Sequence, residues 1–400
     1  MNTTGSPAAI VLGGAVNAVS IARSLAPDGI EVIALGTGAV DAVRRSRHCR
    51  RYVRFRAGAG LQDAWMAWLT QQARRLPDAV LLPAEDEALE LIARRRPELE
   101  ALGYRPFEAN DRALLAMLDK GQTADIARQV GIPQPHSLTI TDAASVQRAL
   151  DELGLPLALK PLHSHKLARQ AERWGKLITI TTREELDHVT AIMREREVDV
   201  LATEIIPGGD DQLVSYYSYL DADGEPLLHF CKQQLRAHPP RFGLSSYHRS
   251  HWDPEVADAG LRFFRGAGVR GLVNVQFKRD ARTGTLMLIE CNHRFTAANE
   301  LVRLSGINLA LLTYERALGR PSAPVPDPVD DTRMWDPVMD ARSMLAMRRD
   351  GQIGVREWLR SLMHRQHMPL MCVDDPGPAS VYLAQVARVL RNGTPPAPRP

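Results

Sequence analysis

The sequence predicts a mixed α/β protein, with a small parallel α/β domain first and a larger α+β region of paired hairpins after it. Three observations carry this reading. The chain opens with strand, glycine pair, helix and strand between Ala9 and Leu35. Short buried strands and amphipathic helices alternate between Leu157 and Ile206. Two hairpins then follow, with turns at Asp221–Gly224 and Asp280–Gly284.

The elements follow in order. Ala9–Leu12 is a short apolar strand running into Gly13-Gly14, with a helix from Asn17 to Leu25 and a second strand at Glu31–Leu35. This is a βαβ opening. Ala79–Pro83 reads as another buried strand before a helix at Glu87–Arg95, so residues 1–105 form the first domain. Leu114–Val130 has helical periodicity and stops at Gly131-Ile-Pro. Helix Ala143–Leu153, strand Leu157–Lys160, strand Leu177–Ile180, helix Arg183–Glu195 and strand Val200–Ile206 come next. The hairpins are Ser215–Leu220 with Leu227–Lys232, and Gly271–Arg279 with Thr285–Asn292, separated by helix Pro254–Gly266. A helix over Asn299–Leu318 ends the second domain, 106–320. Residues 321–400 read as a proline-rich linker and a C-terminal appendage with helices near Val355–Met363 and Ser380–Arg391, ending in a disordered tail.

Composition narrows the function classes. A formal charge of +3 spread along 400 residues gives no electrostatic footprint for nucleic acid. Cys49, Cys231, Cys291 and Cys372 are far apart and form neither a disulfide framework nor a zinc signature. No stretch reaches the length of a membrane span, and the first residues lack a basic leader, so the expected location is the cytoplasm.

The chemistry gathers on the second hairpin. Alternation along a strand puts Glu290 and Asn292 on one face. With the turn centred near Arg282, Gln276 falls roughly opposite Leu288 and close to Glu290. One carboxylate and two amide oxygens suit a hard cation such as Mg²⁺, and Arg294 at the strand end suits an anion. The competing reading is an exposed polar strand face. Cys291 is expected on the opposite, buried face.

The run Val275-Gln-Phe-Lys-Arg-Asp280 followed by Leu288-Ile-Glu-Cys-Asn-His-Arg294 resembles the ATP-grasp signature. The likeness is to carboxylate–amine ligases near D-aspartate ligase and the carbamoyl-phosphate synthetase large subunit, over roughly residues 8–320. It implies a preATP-grasp domain over 1–105 and a two-lobed ATP-grasp fold over 106–320, with a lid near 125–200. The resemblance also assigns residues. Lys160 in Ala158-Leu-Lys-Pro161 and Lys120 match phosphate-binding lysines, with Lys176 beside the lid loop. Glu204-Ile205-Ile206 match the adenine hinge, and Asp211, with Asp210 as rival, the ribose acid. Gln276, Glu290 and Asn292 are the implied metal ligands. Arg294, Lys232 and Arg236 are the implied catalytic cations, the last two from a Lys232-x-x-x-Arg236…Pro239-Pro240 run.

This sequence departs from the pattern in three places. Gln276 stands where many members have an acid, though the carbamoyl-phosphate synthetase version also carries Gln. His293 replaces the common proline. The lid loop from His163 to Gly175 is basic and not glycine-rich, which brings in Lys166 or Lys176 as phosphate contacts. The Gly13-Gly14 turn is not a dinucleotide fingerprint, because the GxGxxG spacing and the acid after the second strand are both missing. Asp86 either lines the acceptor cleft or caps its helix, and the cap is preferred.

The resemblance implies ATP with Mg²⁺, or Mn²⁺ in its place. A substrate carboxylate would be phosphorylated and then passed to an amine, with release of ADP and phosphate. Small-molecule carboxylate and amine partners are expected, and self-association, if any, as a homodimer. The rival readings are a bicarbonate-phosphorylating, carboxylase-like enzyme and a nucleotide-binding regulatory protein with weakened catalysis.

Overall fold

The computed structural model describes residues 5–38, 41–161, 177–195, 200–321 and 323–392. Strands β1 (Ala9–Leu12), β2 (Val32–Gly36), β3 (Cys49–Arg54), β4 (Val80–Pro83) and β5 (Arg105–Pro106) pair in parallel in the order β3-β2-β1-β4-β5. β1, β2 and β4 are buried along their whole length, as strands covered on both faces must be. Helices α1 (Val16–Leu25), α2 (Leu61–Gln72) and α3 (Asp86–Ala101) belong to this domain. β3 and α2 escape the sequence reading. β3 is Cys-Arg-Arg-Tyr-Val-Arg on a sheet edge, with little buried surface and hence no apolar period.

The predicted helix over Leu114–Val130 is two helices, α4 (Asp111–Leu118) and α5 (Lys120–Gln129). Asp119 breaks it with an extended backbone, and its carboxylate accepts the Gly121 and Gln122 amides. Aspartate favours this capping role over a helix interior. Lys120 is therefore the first residue of a capped helix.

The lid sheet consists of β6 (Ser137–Ile140), β7 (Leu157–Pro161), β8 (Ile178–Ile180) and β9 (Val200–Glu204), in the order β6-β9-β7-β8 with antiparallel pairs. Helices α6 (Ala143–Leu153) and α7 (Arg183–Glu195) close its separate apolar core.

The central sheet is larger than expected. Strands β10 (Leu213–Leu220), β11 (Pro226–His238), β12 (Leu244–Ser250), β13 (Gly271–Arg279) and β14 (Leu286–Asn292) are joined by β15 (Arg333–Trp335) and β16 (Gln366–His367). Their order is β14-β13-β10-β11-β12-β15-β16. One face buries Val214, Tyr216, Val273, Val275 and Phe277 under helix α8 (Pro254–Ala267). The lower half of the other face, with Tyr217, Tyr219, Phe230 and Leu272, joins the core of the N-terminal domain. The sheet therefore welds two cores and leaves the upper half of one face facing the lid. The predicted helix over Asn299–Leu318 is interrupted at Gly306, whose φ is +98°, giving α9 (Asn299–Leu304) and α10 (Leu309–Ala317).

The segment after residue 320 is not an appendage. β15 pairs antiparallel with β12, and β16 parallel with β15. Helices α11 (Pro337–Arg349), α12 (Val355–Ser361) and α13 (Gly377–Asn392) accompany them. The fastening is Asp340, a fully buried carboxylate. It accepts Arg236 Nε at 2.7 Å and Nη2 at 2.9 Å, Trp335 Nε1 at 3.0 Å, Trp358 Nε1 at 2.8 Å and the Ser246 hydroxyl at 3.2 Å. The expected disordered tail lies outside the described residues beyond 392. Among the described residues no helix is long and apolar enough to cross a membrane.

Candidate active site

Strand register assembles the site. Glu290 pairs with Gln276, Gln276 with Ser215, Ser215 with Lys232 and Lys232 with Ser250. Directly paired residues share a face. The result is one row of polar side chains across the sheet, opening toward the lid. The next row holds Asn292, Asn274 and Tyr217.

The pairing differs from the simple hairpin expectation. Leu288 pairs with Phe277, and the ladder then shifts so that Glu290 pairs with Gln276, leaving Ile289 as the extra residue of a β-bulge. Unbroken alternation would put Glu290 on the same side as Leu288, in the core. The bulge inverts the phase, so Leu286 and Leu288 stay buried while Glu290 and Asn292 face the cleft. The Cys291 side chain packs against the buried face, as expected. Burial pushes its thiol far above the usual range.

Two lysines converge on this row. Lys160 lies on β7 of the lid sheet and Lys232 on β11 of the central sheet. Burial lowers both ammonium pKa values, and both feel the Glu290 carboxylate, which opposes that shift. Lys232, 7% exposed, is brought down to about 8. Neither ammonium makes a hydrogen bond or ion pair among the described residues. A buried cation without a close counter-ion is costly to keep and fits a site that receives an anion.

Arg294 follows β14 and reaches the N-terminal domain. Its Nε is hydrogen-bonded to Asp86, so Asp86 engages the site and does not serve as the helix cap. Its terminal guanidinium nitrogens have no hydrogen-bond partner among the described residues. Glu85 sits beside it, with its carboxyl raised to about 7 by burial, with Glu87 and Asp41 adding to the shift. Arg294 and Glu290 also interact electrostatically.

The hinge residues lie between lid and central sheet. The Glu204 carboxylate accepts the His136 amide at 2.9 Å, and the Glu204 amide donates to the His136 carbonyl at 3.0 Å. One oxygen of its side chain therefore closes the β6–β9 edge. Ile205 and Ile206 lead into Pro207-Gly208, which the second hairpin holds through Ala281 N to Pro207 O (3.3 Å) and Lys278 Nζ to Gly208 O (2.9 Å). Asp211 is exposed, whereas Asp210 is buried and accepts the Ala237 and Arg241 amides at 2.8 Å each. Lys120 lies half-buried at the start of α5, a helix that packs against β14. Lys176, like Lys166, lies outside the described residues.

Arg236 is the clear correction. It is 4% exposed, bidentate on Asp340, bonded to Ser361 Oγ at 2.9 Å, and stacked 4.6 Å from the Tyr247 ring. Its charge is consumed in fixing the sheet edge, so it does not hold a substrate anion.

Three cleft-side residues escape the sequence reading. Gln234 Nε2, His248 Nδ1 and Asn274 Nδ2 are buried without a hydrogen-bond partner among the described residues. Gln234 and His248 pair across β11 and β12, two residues beyond Lys232 and Ser250 on the same face. Buried polar nitrogens in native proteins are nearly always satisfied, and these three stand beside the polar row. Burial holds His248 neutral, and the Lys232 charge adds to that effect. Pairing with β12 reveals Gln234 and His248, and pairing of β13 with β10 and β14 reveals Asn274.

Comparisons with known proteins agree with this architecture. Residues 231–336 match the family described as "ATP-grasp in the biosynthetic pathway with Ter operon". A carbamoyl phosphate synthase large chain from Methanothrix thermoacetophila is 24% identical over 231 residues, covering 55% of this chain and 20% of that one. A D-alanine–D-alanine ligase from Xylella fastidiosa is 24% identical over 209 residues, covering 48% of this chain and 64% of that one. The match thus spans about a fifth of the first relative's length and under two thirds of the second's. The biotin carboxylase domain of a Hydrogenobacter thermophilus 2-oxoglutarate carboxylase, described with MgADP, ADP and bicarbonate, aligns with a TM-score of 0.63 at 15% identity. It covers 82% of this chain and 74% of that one. At that identity the likeness speaks for the fold alone. Taken with the polar row between two sheets, these matches indicate the ATP-grasp superfamily.

Proposed function

We propose that the protein is an ATP-dependent ligase that activates a carboxylate as an acyl phosphate and transfers it to an amine. The observation that carries this reading is the row Glu290–Gln276–Ser215–Lys232, with Lys160 facing it from the lid and Arg294 at its end. Gln276, Glu290 and Asn292 fit Mg²⁺, because one carboxylate and two amide oxygens leave positions for water and phosphate oxygens. Bound there, the ion would offset charge on the transferring phosphoryl group.

The chain's own groups supply the rest. Lys160 and Lys232 place positive charge around the γ-phosphate from two sheets. Ile205 and Ile206 line the hinge for adenine, and Asp211 is the available acid for ribose. Arg294, oriented by Asp86, holds the carboxylate that attacks the γ-phosphorus. The bond from phosphorus to the β-bridging oxygen breaks as the acyl–oxygen–phosphorus bond forms, and ADP leaves. Attack by an amine at the acyl carbon then expels phosphate and forms the amide. Closure of the lid sheet over the central sheet excludes water, which would otherwise hydrolyse the acyl phosphate.

The test is an ADP-release screen over paired carboxylates and amines with mass detection of the product. ADP release that requires both partners, with an amide formed, is the expected result. ADP release with bicarbonate alone would replace this reading with a carboxylase-like one. Nucleotide binding without turnover across the panel would replace it with a regulatory role.

Lys232 offers a pH test. Only its protonated form binds an anion, and its pKa of about 8 means the charged fraction falls as pH rises through 8. Affinity for Mg·ATP should therefore weaken by up to roughly tenfold per pH unit above that point. Lys232→Arg should flatten the profile, because arginine stays charged. Calorimetric titrations between pH 7 and 9 would read this, and a flat wild-type profile would remove Lys232 from the anion site.

A further inference from the structure

The N-terminal domain carries a second basic feature that the ligase reading does not use. At the carboxyl ends of β2 and β3 lies a cavity of about 350 Å³ lined by Gly38, Arg44, Arg45, Tyr52 and Arg54. In open parallel sheets the crevice outside the carboxyl ends of the strands is where ligands bind. The volume is within the range of small-molecule sites.

The floor of the cavity is built. Asp41, 6% exposed, accepts the Thr37 amide at 2.9 Å, the Gly38 amide at 3.0 Å and the Tyr52 hydroxyl at 2.6 Å, all on Oδ2. Tyr52 is thereby fixed, and burial with the neighbouring Asp41 charge pushes its phenol well above the usual range. A Cβ at Gly14 or Gly36 would collide with the Asp41 carboxylate, so both positions need glycine. This packing also explains why the Gly13-Gly14 turn holds no dinucleotide: Asp41 fills the space above it.

The walls are cationic and unpaired. Arg44, Arg45 and Arg54 have no carboxylate partner among the described residues. By contrast Arg94, Arg95, Arg96 and Arg105 of the same domain all pair with acids. Asp41, which holds the lining residues Gly38 and Tyr52, is already occupied by three donors. Three guanidinium groups around one concavity match the geometry of phosphate or carboxylate oxygens.

We propose that the Arg44–Arg45–Arg54 cavity is a binding site for a small anionic ligand bearing phosphate or clustered carboxylate groups, separate from the ATP cleft. Pyrophosphate and citrate are the probes, titrated calorimetrically into the full-length protein with the ATP cleft saturated by Mg²⁺ and a non-hydrolysable ATP analogue. Saturable binding of at least one probe is expected. It should weaken by roughly tenfold or more in Arg45→Ala/Arg54→Ala, since hydrogen bonds to charged groups are among the stronger ones. Arg56→Ala, on the exposed segment after β3, should leave it unchanged. The arginines are exposed, so thermal melts of the free variants should match wild type. The proposal is overturned if neither probe binds saturably or if the double variant binds as well as wild type. Saturating the nucleotide cleft separates this outcome from the ligase reading, which the ADP-release screen tests on its own.

Discussion

Replacing Glu290 by alanine is expected to reduce ADP release by roughly 10²–10³-fold, the scale seen when preorganised transition-state charge stabilisation is lost. The carboxylate is the only acid in the row Glu290–Gln276–Ser215–Lys232, so nothing on that row can replace it. It is also the counter-charge that Lys160 and Lys232 both feel. The fold should survive, because Glu290 is exposed on its strand and none of the hydrophobic cores depends on it. A melting temperature within about 2 °C of wild type is the matching readout. Glu290→Gln should be nearly as inactive, since it keeps the shape and removes the charge. Undiminished turnover in either variant would sink the metal-site assignment.

The largest effect on stability should come from Asp340→Ala. Five donors from β11, β12, β15 and α12 meet on this carboxylate. Removing it leaves the Arg236 guanidinium buried without its counter-charge, a loss of about 3–5 kcal/mol. In a chain of this size that corresponds to a fall of roughly 5 °C in melting temperature. Arg236→Met combined with Asp340→Ala should recover part of the loss, because the second change removes the stranded charge. An unchanged melting temperature for Asp340→Ala would mean that the β15–β16 edge is held by something else.

Much of the fold is legible in the sequence, and the reason is local. The hairpin of β13 and β14 is marked by its Asp280–Gly284 turn, and the lid strands by short apolar runs between amphipathic helices. β12, β15 and β16 are not legible. They are short or polar, and their stability comes from partners far away in the chain, Arg236 to Asp340 being 104 residues. The same distance explains why Arg236 resembles a substrate-binding cation in sequence. Lys232, four residues earlier, has no such partner among the described residues. Gln234, His248 and Asn274 could not have been selected by residue type alone, because only register aligns them.

The bulge at Ile289 makes the cation site a matter of parity. Leu288 must point into the core and Glu290 away from it, so two residues that regular pleating would place on one side have to be separated by an odd step. Removing Ile289 would give a regular strand in which Leu288 and Glu290 still face opposite ways. Regular pairing with Ile289 kept would do the reverse, sending the carboxylate into the packing of Val275 and Phe277 and turning Cys291 outward. Whether this strand carries a cation-binding edge or a disrupted core therefore depends on whether a count is odd or even, with the identity of every ligand unchanged.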